Sequence, residues 1–88
     1  MRWELRTSGD FDKAARKIDR AQLTRIRKYL EAVCELDDPR SRGKGLTGEL
    51  TGYWRYRIGE WRVLVEIKES EIVIVAVALG HRSTVYRR

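Results

Sequence analysis

The sequence has few of the residues that form disulfides or bind metal ions. Its 88 residues include one cysteine, Cys34, and one histidine, His81. A single cysteine excludes an intramolecular disulfide, and a zinc site needs three or four His, Cys or acidic ligands. Because Cys34 falls within a helical pattern of apolar residues, we interpret it as a buried thiol. We expect no cofactor and no bound metal ion.

Long apolar runs are also absent. No stretch approaches the roughly 18 apolar residues of a membrane-spanning helix, and the first residues do not have the pattern of a signal peptide. The sequence contains no internal repeat, low-complexity tract or domain boundary. Residues 1–88 are therefore predicted to form a single domain that is cytoplasmic and makes no membrane contact.

Acidic residues are scarce between positions 40 and 62. Positions 8–38 contain seven basic and seven acidic residues, whereas positions 40–62 contain six basic and two acidic ones. The formal net charge is +6, and 14 of the 19 basic residues are arginine, whose planar guanidinium suits phosphate. This distribution predicts a polyanionic partner, with nucleic acid as the first candidate. A genome rich in G and C would also favour arginine over lysine, and that alternative stays open.

The most informative pattern lies between Gly52 and Val65. Apolar and basic residues alternate on both sides of the pair Gly59-Glu60, which is typical of two antiparallel strands joined by a tight turn. The apolar row, predicted to face the core, consists of Trp54, Tyr56, Ile58, Trp61, Val63 and Val65. The opposite row contains Tyr53 and Leu64 together with three arginines, Arg55, Arg57 and Arg62. We expect these three arginines to converge on one exposed surface.

Two helices and two further strands complete the predicted domain. Residues 1–6 alternate weakly and predict a short strand, and Ser8 is a credible N-cap for a first helix. Asp19 with Gln22 resembles a capping box and predicts the start of a second helix. The β-branched run at 71–79 predicts a strand buried on both faces, inside the sheet. The expected fold class is α+β: a small antiparallel β-sheet with an N-terminal strand and an αα-hairpin packed on one face.

The segment from Pro39 to Thr51 is predicted to be irregular. Its glycines alternate with Arg40, Arg42 and Lys44, but the Gly-Lys-Ser/Thr core of a phosphate-binding P-loop is absent. A flexible basic loop beside the sheet would be able to contact a phosphate backbone. A solvated connector is the competing interpretation.

The chemistry available to the chain rests on arginine, tyrosine and one histidine. No serine lies in a nucleophile elbow, and only Glu49 and Glu60 offer carboxylates near the end of the sheet. The available set suits metal-free cleavage of RNA, in which the 2′-hydroxyl is the nucleophile and arginine stabilises the charge developing on the phosphate. Arginine is a poor general base, which makes His81 the candidate for moving protons near neutral pH.

Taken together, these elements resemble a known family. The order of strand, two helices, Gly52-Tyr-Trp-Arg-Tyr-Arg, Arg62-Val-Leu-Val, buried strand and Gly80-His-Arg-Ser-Thr-Val-Tyr is similar to the RelE/ParE superfamily of bacterial toxins. It is most similar to the RelE branch of ribosome-dependent mRNA endonucleases. The resemblance covers essentially the whole chain and is most specific at residues 50–65 and at the last motif. It implies a type II toxin that cleaves translated mRNA on the ribosome, and an acidic RelB-like antitoxin as partner in a hetero-oligomer.

The resemblance also implies roles for the hairpin arginines. Arg55 and Arg57 match two basic residues, spaced by one, on the family's second strand. The best-known form has lysine there, so the lysine that could act as a base is absent. Arg62 matches the arginine that opens the next strand and would hold the scissile phosphate.

The C-terminal motif supplies the remaining implied roles. Arg82 or His81 would protonate the leaving oxygen, and Tyr86 would stack on or orient a base. Further residues expected to contact RNA are Arg40, Arg42, Lys44, Tyr53, Arg87 and Arg88.

Two other functions stay open at this stage. A ParE-like inhibitor of DNA gyrase would have a similar fold, although Arg62 and the terminal Arg-x-x-Val-Tyr motif favour the nuclease. A non-catalytic RNA- or ribosome-binding module is the third candidate. The competing structural interpretation is that the arginines form an ordinary solvated face, with His81 structural and Tyr53 part of the core.

Overall fold

The computed structural model describes residues 2–81. The elements in chain order are β1 (Glu4–Thr7), α1 (Gly9–Ala15), α2 (Arg20–Cys34), β2 (Lys44–Gly45), β3 (Trp54–Ile58), β4 (Trp61–Lys68) and β5 (Val73–His81). Short 3₁₀ turns lie at Pro39–Ser41, Gly48–Leu50 and Glu69–Glu71. The strands form one sheet in the order β1-β5-β4-β3-β2. The predicted α+β fold class is confirmed. The sheet is mixed, not wholly antiparallel as expected, because β1 runs parallel to β5 while the other pairs are antiparallel.

The two helices begin close to the predicted positions but by different means. Ser8 caps α1, since its hydroxyl oxygen accepts a hydrogen bond from the Phe11 amide at 3.1 Å. Asp19 occupies the N-cap position of α2, but its side chain accepts no capping hydrogen bond. The predicted capping box with Gln22 is therefore wrong. The first turn of α2 is instead closed by a backbone hydrogen bond, 3.0 Å long, from the Leu23 amide to the Asp19 carbonyl.

Both helices pack on one face of the sheet. Their buried contributions are Phe11 from α1 and Ile26, Leu30, Val33 and Cys34 from α2. The sheet contributes Tyr56, Ile58, Val63, Val65, Ile74, Ala76 and Leu79, with Trp54 and Trp61 packed against them. Full burial of one large apolar side chain stabilises a fold by about 1.5–3 kcal/mol, so this layer is the main source of stability. The prediction that the apolar row of the hairpin faces the core is confirmed.

The hairpin turn fixes which side chains share a face. Gly59 has φ +60°, a value that glycine adopts readily at the first position of a two-residue turn. Ile58 pairs with Trp61 across this turn. The same register pairs Arg57 with Arg62, on the face turned away from the helices.

The strand β5 lies between β1 and β4, as predicted for a buried, interior strand. On the side away from the helices, Leu64 and Ala78 are buried beneath Leu46 and Leu50. Leu64 pairs with Ala78, whereas the next residue of β4 pairs with Ala76. One residue of β5, Val77, is therefore extra to the ladder and forms a β-bulge.

The segment predicted to be irregular contains a short strand. Lys44 and Gly45 pair with Arg55 and Trp54 at the edge of the sheet. The expectation of a wholly irregular loop is therefore wrong at these two positions. Within residues 2–81, neither helix is both long enough and apolar enough to cross a membrane.

Candidate functional site

Four neighbouring basic residues lie on β2, β3 and the start of β4, on the side of the sheet opposite the helices. We call the surface formed by Lys44, Arg55, Arg57 and Arg62 the basic face. Lys44 stands directly opposite Arg55 in the β2–β3 ladder, and Arg57 stands directly opposite Arg62 in the β3–β4 ladder. Directly opposed residues have Cβ atoms about 4.5–5.5 Å apart. The structure thus brings the three arginines of the hairpin together with one lysine on three neighbouring strands.

This arrangement places like charges in direct opposition twice. Opposed like charges destabilise a sheet by up to about 1 kcal/mol per pair, so the pairing works against the fold. A phosphate group lying over Arg57 and Arg62 would reverse the sign of the interaction, because each guanidinium can donate two hydrogen bonds to one anion. The basic face is therefore suited to bind an anion with several charges.

Within residues 2–81, the position opposite Arg62 on β5 carries no side chain. The residue there is Gly80, which has no side chain that would cover the guanidinium. Arg62 itself is half-buried, whereas Arg57 is exposed. A half-buried guanidinium keeps fewer rotamers than an exposed one, and this favours holding a ligand in one orientation.

His81 lies on the other side of the sheet. It pairs with Trp61, and the two rings meet edge to face with their centroids 5.0 Å apart. Trp61 packs against the core beneath the helices, so the imidazole is on the helix side and not on the basic face. The candidate residues Arg82, Tyr86, Arg87 and Arg88 lie outside the described part of the chain.

Arg40 and Arg42 are also held on the helix side. The Arg40 guanidinium donates a hydrogen bond to Glu69 at 2.8 Å and lies over the Trp54 ring at 5.9 Å. The Arg42 guanidinium lies 5.8 Å from the centre of the Tyr29 ring. The Arg42 carbonyl accepts a hydrogen bond of 2.6 Å from the Trp54 indole. The structure does not bring these two arginines to the basic face.

Lys44 reaches the basic face because of Gly43, a residue that the sequence did not single out. Gly43 has φ +81°. A Cβ atom there would lie 2.7 Å from the Trp54 indole nitrogen and 2.8 Å from Tyr56 Cδ1. Only glycine lets the loop approach β3 this closely, and that approach pairs Lys44 with Arg55. The alternation of glycine and basic residues was the available signal.

A pocket of about 380 Å³ adjoins the basic face. Its apolar floor consists of Leu50, Leu64 and Val77, and its polar rim includes Asp10, Glu49 and Tyr53. We call it the Glu49 pocket. Leu64 stands directly opposite Arg55, so the pocket and the basic face share one surface. Sequence reasoning placed Tyr53 near RNA but did not predict a pocket, because Asp10 is distant in sequence.

Two titratable groups are perturbed in the core. Burial raises the pKa of the Tyr56 phenol far above its ordinary value, and its hydroxyl donates a hydrogen bond to the Pro39 carbonyl at 2.6 Å. Burial likewise raises the pKa of the Cys34 thiol. Neither group is on the basic face. Among residues 2–81, no group of three His, Cys, Asp or Glu side chains is placed to hold a metal ion.

A protein family matches almost the whole sequence. Its description is "ParE toxin of type II toxin-antitoxin system, parDE", and the match spans residues 1–86. The chain belongs to this toxin family. The predicted resemblance to the RelE/ParE superfamily is thereby confirmed. No protein with a curated description matches the toxin.

Solved structures agree with this assignment at the level of the fold. The toxin superimposes on a chain of the toxin–antitoxin complex RelBE2 from Mycobacterium tuberculosis with a TM-score of 0.84, 22% identity and 94% of each chain covered. The isolated RelE toxin of E. coli superimposes with a TM-score of 0.74 and 16% sequence identity, covering 91% of this chain and 84% of that chain. A chain of the RelE–RelB complex of Pyrococcus horikoshii OT3 superimposes with a TM-score of 0.73 and 22% sequence identity, covering 93% of this chain and 97% of that chain.

Proposed function

We propose that the toxin is a ribosome-dependent endoribonuclease that cleaves translated mRNA without a metal ion. The observation that carries the proposal is the direct opposition of Arg57 and Arg62 on an exposed sheet face, with Arg55 and Lys44 beside them. Such a face is suited to hold the phosphate of an extended single strand. The similarity in fold to RelE toxins supports the same proposal.

The proposed reaction is attack of the 2′-hydroxyl on the adjacent phosphorus. A bond forms between the 2′-oxygen and phosphorus, and the bond from phosphorus to the 5′-oxygen breaks. The products are a 2′,3′-cyclic phosphate and a 5′-hydroxyl. The 2′-hydroxyl releases its proton to water, the 5′-oxygen takes one from a protein side chain, and that side chain regains a proton from water. Arg62, with Arg55 and Arg57, stabilises the charge that grows on the non-bridging oxygens.

The protonation of the leaving oxygen is assigned to Arg82. The other candidate, His81, packs against Trp61 on the helix side of the sheet. A phosphate held by Arg62 lies on the opposite side. We therefore give His81 a structural role. The ribosome would orient the message on the basic face, which compensates for weak proton-transfer groups.

The proposed protein partner is an acidic, RelB-like antitoxin. Several of the similar structures are, by their names, complexes of a RelE toxin with a RelB antitoxin. A formal net charge of +6 on the toxin favours an acidic partner.

Inhibition of DNA gyrase is the second candidate function, because the matching family is described as ParE toxin. Induction of the toxin without its antitoxin separates the two. The nuclease proposal predicts growth arrest with messages cut in register with the reading frame and carrying new 5′-hydroxyl ends. Arrest with intact messages and accumulating DNA damage would overturn it in favour of the gyrase inhibitor.

Purified components give the matching test. Translating ribosomes should support cleavage of a bound message by the toxin, whereas the same message without ribosomes should be cut slowly. Gyrase supercoiling should proceed unchanged at the same toxin concentration. Cleavage that is equally fast with and without ribosomes would contradict the ribosome-dependent step.

A further inference from the structure

The Glu49 pocket differs in chemistry from the basic face that it adjoins. The basic face offers positive charge, whereas the rim of the pocket offers the carboxylates of Asp10 and Glu49 and the ring of Tyr53. The floor, formed by Leu50, Leu64 and Val77, is apolar. Two carboxylates repel phosphate, so a phosphate does not fit this pocket. A flat, uncharged group that donates hydrogen bonds fits it.

The carboxylate of Glu49 is available for a ligand. Within residues 2–81, neither Glu49 nor Asp10 uses its side chain in an ion pair or hydrogen bond. The backbone that carries Glu49 is nevertheless fixed. It belongs to the 3₁₀ turn Gly48–Leu50, and the Thr51 hydroxyl donates a 2.7 Å hydrogen bond to the Gly48 carbonyl, which closes that turn. A free acceptor on a fixed turn is a pre-organised recognition element.

We propose that the Glu49 pocket binds an unpaired guanine base of the RNA whose phosphates lie on the basic face. This inference rests on the proposed function, because it takes RNA as the ligand of that face. Guanine has two adjacent donors on its Watson–Crick edge, the N1–H and the 2-amino group. A single carboxylate can accept both. Adenine and cytosine place an acceptor beside their amino group, and uracil places acceptors on both sides of its only donor.

The size and position of the pocket agree with this ligand. Its volume of about 380 Å³ lies within the range of about 300–1,000 Å³ that is usual for small-molecule sites. Leu64, on its floor, stands directly opposite Arg55, so a base in the pocket is adjacent to a phosphate on the basic face. Unpaired RNA bases are commonly read in this way, by an aromatic ring together with hydrogen bonds to the Watson–Crick edge.

The test compares two nucleotides that differ in one amino group. Guanosine 5′-monophosphate and inosine 5′-monophosphate share the phosphate that the basic face would bind, and only guanosine has the 2-amino group. Each is titrated into the purified toxin while the backbone amide signals of Leu50, Leu64 and Val77 are followed by NMR. We expect the guanosine nucleotide to shift these signals and to bind at least about fivefold more tightly. Equal affinities for the two nucleotides would overturn the proposal.

Two variants assign the selectivity to the pocket. Glu49→Gln keeps the shape of the side chain but loses the charge, and it should abolish the difference between the two nucleotides. Glu66→Gln is the matched control, because Glu66 is an exposed carboxylate on the same face of β4 and does not line the pocket. It should keep the difference. Selectivity that survives Glu49→Gln, or that both variants lose equally, would overturn the assignment.

The outcome also separates this inference from the proposed function. Guanine selectivity in a toxin that cuts no message would refute the nuclease and leave the pocket assignment intact. Cleavage of translated messages by a toxin that does not distinguish the two nucleotides would refute the pocket assignment alone. In the nuclease, Glu49→Gln should reduce cleavage at sites with guanine at one fixed position by at least about fivefold relative to the other sites.

Discussion

The imidazole of His81 rests edge-on against the indole of Trp61, with 5.0 Å between the ring centroids and 72° between the ring planes. Arg62 and Gly80, the neighbours of these two residues along β4 and β5, form the next pair of the ladder and face the other way. The candidate functional residues His81 and Arg62 are thus close to each other in the sheet but project from its opposite faces. This relationship decides how the proton-transfer step should respond to mutation.

Replacing His81 by alanine should leave the pH dependence of RNA cleavage unchanged. The imidazole faces the helix side, away from a phosphate held by Arg62. The loss of one edge-to-face ring contact should cost about 0.5–1.5 kcal/mol of unfolding free energy. The measurements are a pH–rate profile with translating ribosomes and a urea denaturation curve. If the pH–rate profile of this variant lost a pH-dependent limb that the wild type shows near neutral pH, His81 would be a catalytic acid or base.

Arg62→Ala should abolish toxicity in cells while the protein still folds. Removal of one electrostatic donor from a transition state typically costs about 10²–10³ in rate. Arg62→Lys should have an intermediate effect, because it keeps the charge but loses the two-pronged hydrogen bonding. Growth after induction and cleavage with translating ribosomes are the measurements. Arg16→Ala, an exposed change at the end of α1, is the control and should stay toxic. A fully toxic Arg62→Ala variant would exclude the basic face as the active site.

The salt dependence of RNA binding should identify which arginines contact phosphate. On single strands, the logarithm of affinity falls with the logarithm of salt concentration with a slope of about −0.7 per neutralised phosphate. Arg57→Ala should therefore make the slope less steep by about 0.7. Arg40→Ala should leave it unchanged, because Arg40 is engaged by Glu69 and Trp54 on the helix side. Equal changes in the two variants would show that RNA also covers the helix side.

Gly43→Ala should destabilise the domain by about 2–4 kcal/mol. The residue has φ +81°, and a Cβ atom would lie 2.7 Å from the Trp54 indole nitrogen. Gly9→Ala is the control, since Gly9 is in α1 with nothing within 4 Å of a built Cβ atom, and it should change stability by less than about 1 kcal/mol. Thermal denaturation measures both. A Gly43→Ala protein as stable as the wild type would mean that the loop does not approach β3 as described.

Tyr56→Phe should destabilise the domain, and the effect should shrink at alkaline pH. The variant loses the hydrogen bond to the Pro39 carbonyl, which leaves a buried acceptor unpaired at a cost of about 1–3 kcal/mol. The folded-state pKa of Tyr56 is raised by burial, so its contribution is complete below the unfolded pKa of about 10. As pH rises above that value, the phenol ionises in the unfolded chain first and wild-type stability falls. Urea denaturation at pH 7.5 and 10.5 measures the difference in unfolding free energy between the wild type and the variant. This difference would be the same at both pH values if the pKa of Tyr56 were equal in the folded and unfolded chains.

The hairpin could be predicted from the sequence because its information is local. Alternation of apolar and basic residues on both sides of Gly59 determines the turn, the register and the two faces. The opposition of Arg57 and Arg62 follows directly from that register. The N-cap of α1 was predictable for the same reason, whereas Asp19 showed that a capping pattern in sequence does not guarantee the hydrogen bonds.

The rest of the site depends on contacts between distant parts of the chain. Arg40 and Arg42 are drawn to the helix side by Trp54 and Tyr29, and nothing local to the loop specifies those rings. The Glu49 pocket joins the start of α1 to the 3₁₀ turn and two strands, so its shape exists only after folding. In β5 nearly every residue is apolar, and a strand without alternation does not indicate which side each residue faces.

The bulge at Val77 determines on which face of the sheet His81 lies. Upstream of it, Ala76 faces the helices, and in a regular strand every second residue after Ala76 would do the same, so Gly80 would face the helices and His81 the basic face. The extra residue exchanges these two positions. Deletion of Val77 would remove the bulge but leave Gly80 and His81 on their present sides, because the residues on either side of Val77 already pair with consecutive residues of β4. A regular ladder continued from the pair Val65–Ala76 would place Leu79 opposite Arg62, and the bulge places Gly80 there instead. The irregular pairing of one strand therefore keeps a large apolar side chain away from the guanidinium of Arg62.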